Sequence, residues 1–255
     1  MIDRAQILAN LHLHAVLPRL EELVKLDAEA RSIASEMDLR VRFRVRGGPQ
    51  MAISIEKGTV TASGDHSAKA DLGLFFVNCD QLNNMFMDKV AVPIPYKHLL
   101  QLRHMTRFTK LTGIMTRYLK PSSADLEDPD FKKKHVEMTL MVGLSGAGEI
   151  AKYDRRMRKV VDRLPHGTIQ FSVLPDGPFA HVSVDENKNI AVQNGKIDHP
   201  VANLDLNGVG LAADLLSDDL DTFAAVGSGD IKASGLLSLI DEFNALLDRV
   251  GHYLA

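Results

Sequence analysis

Tryptophan is absent from this chain, cysteine occurs once, and aromatic residues make up only 5% of the 255 positions. A single cysteine, Cys79, excludes an internal disulfide and is typical of a reducing compartment. No run approaches the roughly 18 apolar residues that a transmembrane helix needs. The first residues also lack the charged start and apolar stretch of a secretory signal. We therefore expect a cytoplasmic protein without a transmembrane segment.

What the chain does contain is an internal repeat. Four segments return later in the chain at an offset that drifts from 127 to about 129 and then to 122 residues. A period this long exceeds the 20–50 residues of solenoid repeats by a factor of about two or more, so it indicates a duplicated domain. The paired segments are 22–27 with 149–154, 43–45 with 171–173, 53–55 with 182–184, and 109–115 with 231–237.

The repeat predicts two domains, at residues 1–121 and 131–255, joined by a linker at residues 122–130. The linker is predicted from its composition, since Pro, Ser and acidic residues are concentrated there. Each copy is long enough to bury its own core without a disulfide or a metal.

Hydrophobic periodicity predicts an α+β fold in each copy. Residues 4–37 show a helical apolar stripe, which Pro18 is expected to kink or divide. From Arg40 the period changes to two, because Val41, Phe43 and Val45 alternate with arginines, which predicts a half-buried strand with a basic solvent face. Further strands are predicted at 51–55, 59–62, 70–76 and 107–111, and helices at 81–88, 97–105 and 113–119.

The second copy repeats this order. We predict a helix from 132 to 164, interrupted near Gly143, and a later helix from 210 to 216, with a last helix from 236 to 253. A hairpin is predicted from 168 to 184, with further strands at 189–193, 201–206 and 230–233. Each copy is thus expected to be a largely antiparallel five-stranded sheet covered by helices.

Two short motifs, each present in both copies, resemble the sterol carrier protein type 2 family. Residues 70–74 and 202–206 resemble the family's "a-D-l-x-l" strand, and residues 107–113 and 229–236 resemble its "G-x-i-k-x-x-G" strand before the last helix. The first copy lacks the first glycine of the second motif, and residues 90–107 depart from the pattern. The resemblance implies a non-catalytic fold with no cofactor, whose apolar cavity between sheet and helices holds a sterol, a fatty acyl chain or another lipid.

We interpret the chain as a protein that binds or transfers an apolar ligand, and we favour this interpretation over an enzyme. Two alternatives stay open: an enzyme or accessory protein of lipid or polyketide-like metabolism that presents an apolar substrate, and a protein-interaction scaffold with closed cavities. Apolar residues of the predicted helices and strands are the candidates for ligand contact. They are Phe76, Met85, Ile94, Tyr96, Leu99, Leu102, Met115, Tyr118, Leu215, Phe223, Leu236, Ile240 and Phe243.

Charge distinguishes the two copies. Residues 89–124 hold seven Lys or Arg and no Asp or Glu, whereas residues 214–249 hold eight acids and two bases. Three interpretations are open: diverged solvated surfaces, faces that pack together, or a docking surface for an anionic membrane or an acidic protein. Because the basic strip has few aromatics for stacking on bases, nucleic acid is disfavoured. The candidate docking residues are Lys89, Lys97, Arg103, Arg107 and Lys110.

From this asymmetry we expect copy one to dock and load the ligand and copy two to be chiefly structural. In copy one the prolines at 93 and 95 hold residues 90–96 extended, so their apolar side chains could form a lip over a cavity.

No catalytic or metal site is predicted. Residues 143–147 nearly match the G-x-S-x-G turn of hydrolases, but alanine replaces the last glycine and the segment aligns with a helix of copy one. His12 and His14 are two positions apart on a predicted helix and cannot share a metal. The acids at 214–221 lack the glycine and terminal glutamate of a calcium loop.

Overall fold

The computed structural model describes residues 3–64, 69–97, 102–217 and 219–254, with side chains at all of these except 97 and 102–104. The chain divides into two compact units, residues 1–117 and residues 118–255, here called unit one and unit two. The predicted linker lies in unit two, where it forms a short 3-10 turn at Asp125–Glu127 and the start of a long helix.

Unit one begins with a helical segment that changes type around Pro18. An α-helix runs into a π-helical turn at His12–Val16 and a 3-10 turn at Leu17–Arg19 before α-helix resumes. The elements of unit one are α1 (Arg4–Leu11), α2 (Leu20–Leu26), α3 (Ala28–Ser35), β1 (Asp38–Val45), β2 (Gln50–Glu56), β3 (Thr59–Ser63), β4 (Leu72–Phe76), α4 (Cys79–Phe86), β5 (Ile94–Lys97) and α5 (Leu102–Leu119), whose last two residues belong to unit two.

The sheet of unit one has the strand order β3-β2-β1-β4-β5. β1 and β4 are parallel, and the other neighbours are antiparallel. Val41 and Phe43 are buried on one face, as the alternation predicts. Arg40, Arg42 and Arg44 alternate with them and lie on the opposite face, here called the open face.

Unit two contains a 25-residue helix followed by a second sheet. Its elements are α6 (Pro129–Tyr153), α7 (Arg158–Arg163), β6 (Gly167–Leu174), β7 (Phe179–Val184), β8 (Ile190–Asn194), β9 (Ala202–Asn207), α8 (Val209–Leu216), α9 (Thr222–Ser228), β10 (Ile231–Gly235) and α10 (Leu237–Leu254).

The two sheets have the same topology. In unit two the order read from the opposite edge is β8-β7-β6-β9-β10, again with one parallel pair, β6 with β9. Register agrees too: Phe43 lies opposite Leu74, and Phe171 lies opposite Leu204. The predicted fold class, two α+β units with largely antiparallel five-stranded sheets, is confirmed.

The prediction of the fifth strand of unit one is wrong. Residues 107–111, expected to form a strand between two helices, lie inside the single helix α5, and the fifth strand is β5 at residues 94–97. The helical period explains the difference, because Phe108, Leu111 and Met115 are buried at i, i+3 and i+7. Of the predicted helix at 97–105, residue 97 ends β5 and residues 102–105 begin α5, while residues 98–101 lie outside the described residues.

The structural repeat therefore pairs α5 with α10 rather than residues 109–115 with 231–237. Four buried positions match in order along the two helices: Phe108 with Phe243, Leu111 with Leu246, Met115 with Val250, and Tyr118 with Tyr253. The ring of Phe108 lies 6.1 Å from that of Phe43, and the ring of Phe243 lies 5.9 Å from that of Phe171. The repeat thus extends to equivalent aromatic contacts.

An aspartate ends the first helical segment of each unit. Asp27 and Asp154 both have extended backbone conformation and cap the helix that follows, accepting hydrogen bonds from the amides of Ala30 and Arg156. The predicted interruption near Gly143 is wrong, since α6 is continuous from 129 to 153 and breaks at Asp154. α9 was not predicted.

Candidate functional site

The strand β9, the helix α8 and the residues before α9 carry a group of partly buried apolar side chains. The buried residues behind them are the three alanines Ala212, Ala213 and Ala225 together with Val136, Val173, Leu206 and Ile231. Six larger side chains that keep some exposure pack against this core. We call them the leucine cluster: Leu204, Val209, Leu211, Leu215, Leu216 and Leu220.

Local backbone signals place the elements that carry the leucine cluster. Gly208 begins α8 at φ 104° and Gly229 ends α9 at φ 82°, a left-handed conformation that favours glycine. Asp221 caps α9 by accepting a hydrogen bond from the Ala224 amide. Hydrogen bonds donated by Ser228 and Asn207 lower the pKa of Asp230, which thereby joins the α9–β10 corner to the end of β9.

The equivalent interior of unit one is filled by larger side chains. Phe43 and Phe76 are stacked with ring centroids 6.5 Å apart, and both are fully buried. In unit two, Leu206 lies opposite Val173 on β6, as Phe76 lies opposite Val45 on β1. A leucine therefore replaces a phenylalanine at this position, which leaves less side-chain volume beside the leucine cluster.

The short helix after the fourth strand differs in the same way. α4 and α8 are each eight residues long, and the fourth residue is Leu82 in α4 and Ala212 in α8. The fifth is the buried Asn83 in α4 and Ala213 in α8.

Asn83 donates a hydrogen bond to the Ala5 carbonyl and its Oδ1 lies 3.1 Å from His12 Nδ1. Polar contacts thus hold α4 against the first helical segment of unit one. The methyl side chain of Ala213 offers no hydrogen bond, so its contribution to holding α8 is apolar packing.

The structure distributes the predicted ligand residues rather than bringing them together. Phe76, Met115, Tyr118, Ile240 and Phe243 are buried in the interior, and Met85 and Leu236 are half-buried. Ile94, Tyr96 and Phe223 are exposed. Leu215 belongs to the leucine cluster. Leu99 and the side chain of Leu102 lie outside the described residues.

The other members of the leucine cluster were missed from the sequence. The signal that could have found them is the run Val209–Leu216, in which six of the eight residues are Val, Leu or Ala. Only the side with Gly210 and Asp214 is exposed, so the apolar stripe is wider than that of an ordinary surface helix.

The predicted docking residues have different surroundings. Lys89 and Lys110 are exposed. Arg107 is half-buried, forms an ion pair with Glu36 and donates a further hydrogen bond to the Glu36 carbonyl at 2.9 Å. The side chains of Lys97 and Arg103 lie outside the described part of the chain.

Two half-open pockets lie along strand β3 of unit one, and none of their lining residues is a predicted ligand residue. One, of about 330 Å³, lies between β3 and the helices α2 and α3 and is lined by Glu21, Lys25 and Arg31 among others. The other, of about 410 Å³, lies on the open face and is lined mainly by hydroxyl and charged side chains, such as Ser54, Thr61 and Glu56. The lining of the second pocket suits polar molecules better than a lipid chain, whereas the first also includes the apolar Val24 and Val60.

The structure bears on the hydrolase-like turn and on the metal-ligand types considered in the sequence. Residues 143–147 lie within the continuous helix α6, so Ser145 is not presented on a strand-to-helix turn. Across the described ranges, no three His, Cys, Asp or Glu side chains are grouped so that they could hold a metal ion. None of the described helices is long and apolar enough to cross a bilayer.

No protein-family model matches the sequence, and no curated protein matches it. Solved structures do match. The chain is similar to sterol carrier protein 2 domains. The sterol carrier protein domain 2 of Helicoverpa armigera is 19% identical, with 45% of this chain and 89% of that chain covered and a TM-score of 0.35.

For the UbiJ-SCP2 ubiquinone synthesis protein the identity is 16%, the coverage 44% and 94%, and the TM-score 0.34. For sterol carrier protein 2 from Yarrowia lipolytica in its apo form the identity is 12%, the coverage 41% and 90%, and the TM-score 0.30. Each of these three matches spans less than half of this chain and most of the other.

Proposed function

We propose that the chain binds an apolar ligand, such as a fatty acyl chain or a sterol, at the leucine cluster of unit two. The observation that carries this proposal is the group of six partly buried apolar side chains over a core that includes three alanines. Apolar lining with few polar groups is the usual character of a lipid site. The chain's motif resemblance to sterol carrier proteins supports the same ligand class.

This proposal moves the ligand from copy one, where the sequence suggested it, to unit two. Unit one has Phe43, Phe76 and Leu82 in its interior, all at most 1% exposed. At the positions of Phe76 and Leu82, unit two has Leu206 and Ala212. A ligand entering between α8 and the sheet would displace leucine side chains and move a helix held by apolar packing.

The proposal is tested by native mass spectrometry of the purified protein, followed by organic extraction and by titration with a fluorescent fatty acid. We expect a bound lipid in the wild type and a lower lipid occupancy in Ala212→Leu, because the added side chain occupies the site as Leu82 does in unit one. Ala191→Leu is the matched control, since Ala191 is exposed on strand β8.

Equal occupancy in wild type and both variants would place the ligand elsewhere. No bound lipid and no binding of the fluorescent fatty acid would contradict the proposal and favour a scaffold. Chemical change of the extracted molecule on incubation with the protein would indicate an enzyme. The cytoplasmic location stays a prediction, which cell fractionation would test.

A further inference from the structure

The half-open pocket of about 330 Å³ in unit one lies where the edge strand β3 faces the helices α2 and α3. Glu21, Val24 and Lys25 line it from one face of α2, since they stand at i, i+3 and i+4. Arg31 of α3 and residues 58–60 of the chain complete the lining. We call this pocket the edge cleft.

The edge cleft contains a backbone amide of β3 that has no partner among the described residues. In an edge strand, every second residue directs its amide and carbonyl away from the sheet. The Ala62 amide donates a hydrogen bond to Glu21 Oε1, and the Gly58 amide donates one to the Ala34 carbonyl at 3.1 Å, so the even-numbered residues here point outward. Val60 lies between them, is only 6% exposed and lines the cleft. Its outward amide and carbonyl are therefore available to an extended ligand.

Charges of opposite sign lie at the two ends of the edge cleft. Glu21 is beside Ala62, whereas Lys25 follows one helical turn later, a rise of about 6 Å. Arg31 is fixed at the same end of α2 as Lys25, because its Nε donates to the Val24 carbonyl at 3.1 Å and its Nη2 donates to the Lys25 carbonyl. Across the described part of the chain, neither Lys25 nor Arg31 forms an ion pair.

In unit two the equivalent helix and edge strand approach each other closely. The repeat places Gly148 of α6 where unit one has Glu21. A Cβ atom on Gly148 would lie 3.6 Å from Ile190 of β8, which is ordinary van der Waals contact. Glycine thus lets α6 pack on its edge strand, whereas the side chain of Glu21 spans from α2 to the Ala62 amide and leaves the edge cleft beside it.

We propose that the edge cleft binds a short peptide with free ends, about two residues long and extended alongside β3. Pairing with both the amide and the carbonyl of Val60 selects an extended backbone, as in strand addition. The ligand's ammonium lies at Glu21 and its carboxylate at Lys25 and Arg31, because two extended residues span about 7 Å, close to the separation of these charges. Val24 and Val60 provide an apolar lining for a ligand side chain.

The experiment is a titration of the full chain with the dipeptide L-alanyl-L-valine, followed by amide NMR. We expect saturable shifts of the Thr59 and Val60 amide signals in the wild type. Lys25→Glu should weaken binding by about tenfold or more, since a charge-assisted hydrogen bond is lost and a like charge then faces the carboxylate. Lys110→Glu is the matched control, because Lys110 is also exposed on a helix but lies outside the cleft. Circular dichroism shows whether each variant is folded.

Changes to the probe test each end of the edge cleft. Alanyl-valine amide lacks the carboxylate and should bind the wild type about tenfold more weakly or worse, and Lys25→Glu should not weaken it further. N-acetyl-alanyl-valine lacks the ammonium and should also bind more weakly. Glu21→Gln should lower binding of the free dipeptide to the level of the acetylated one, because glutamine can still accept from the Ala62 amide but carries no charge.

A titration that leaves the Val60 amide signal unshifted overturns the proposal, as does an equal loss of binding in Lys110→Glu. A tetrapeptide ending in alanyl-valine should bind more weakly than the dipeptide, since its ammonium lies beyond Glu21. Equal binding of the two would also overturn the proposal, because the cleft would then hold the C-terminus of a longer chain. Ala212→Leu in unit two should leave dipeptide binding unchanged, which separates this site from the leucine cluster.

Discussion

The two units share a strand order but differ in what fills and fixes them. Unit one buries three phenylalanines in contact, Phe43 with Phe76 and with Phe108, and holds α4 through the hydrogen bonds of Asn83. Unit two has one pair of phenylalanines in contact, Phe171 with Phe243, besides the stacked Tyr118 and Phe131, and it has a group of partly buried apolar side chains over a core that includes three alanines. Two sheets of the same strand order can carry interiors with side chains of different size, because the sheet register is set elsewhere.

Unit two has a buried ion pair at the C-terminal end of its last helix, α10. Asp154 is buried, and it accepts hydrogen bonds from Arg249 at 2.7 Å and from the Tyr253 hydroxyl at 3.2 Å. In unit one the position of Arg249 is occupied by Ile114, given the match of Phe108 with Phe243. This ion pair holds α10 against Asp154, the residue directly after α6. It involves the end of α10 that is farther from α8 in sequence.

The largest expected effect is the loss of this ion pair. Asp154→Ala should lower the free energy of unfolding by about 3–5 kcal/mol, because Arg249 is left without its buried partner and the helix cap is lost. Asp27→Ala, the matched variant in unit one, should cost about 1 kcal/mol, the usual value for a lost cap. Urea unfolding of both variants measures the difference, and equal losses would contradict the assigned role of Asp154.

The same ion pair predicts a pH dependence. Burial alone would raise the pKa of Asp154, but the hydrogen bonds and charge of Arg249, with the Arg156 amide and Tyr253, together lower it below its ordinary value of 3.8. The folded state therefore binds the proton less readily than the unfolded state, so this stability is present above pH 3.8 and is lost as the pH falls below it. Acid unfolding should depend less steeply on pH in Asp154→Ala than in the wild type.

The difference between the interiors predicts unequal effects of reciprocal substitutions. Leu82→Ala should destabilise unit one by about 2–5 kcal/mol, since it empties space in a closed interior. Ala212→Leu should cost about 1–3 kcal/mol at most, because the leucine cluster can move outward to admit the side chain. Thermal unfolding followed by calorimetry compares them. A larger cost for Ala212→Leu would mean that unit two is packed as tightly as unit one.

Most of the fold could be predicted from local patterns in the sequence. The alternation from Arg40 to Val45 and its recurrence near Phe171 identified the central strands, because one face of each is buried. The motifs align residue 72 with residue 204. In the sheets, however, Leu74 and Leu204 are the equivalent residues, since they pair with Phe43 and Phe171, so the motif alignment is shifted by two positions. A shift of two leaves the same side chains on the same face, so the burial prediction was unaffected.

The sequence misled where a motif resembled another element. Residues 107–113 look like residues 229–235, yet they form a helix because burial follows Phe108, Leu111 and Met115 rather than alternating positions. β5 was missed because Pro95 argues against a central strand, and in the sheet it occupies an edge, where a missing amide is tolerated. The leucine cluster depends on contacts between elements distant in sequence, which local patterns do not contain.

The smallest expected effect concerns an ion pair that occurs in both units with its two charges exchanged. In each unit one partner is the residue directly before the matched phenylalanine of the last helix. In unit one Arg107 on α5 pairs with Glu36, and in unit two Glu242 on α10 pairs with Arg163 through two contacts of 2.6 and 2.9 Å. The hydrogen bond from Arg163 lowers the pKa of Glu242, which indicates a favourable pair.

Because unit one uses the reversed arrangement at the same place, unit two should accept it. Arg163→Glu alone should lower the unfolding midpoint slightly, since two carboxylates then face each other, and adding Glu242→Arg should restore it. The effect should shrink at high salt, because exposed charges are screened. A double variant no more stable than Arg163→Glu would show that local backbone geometry, rather than the sign of each charge, decides which partner belongs on the helix.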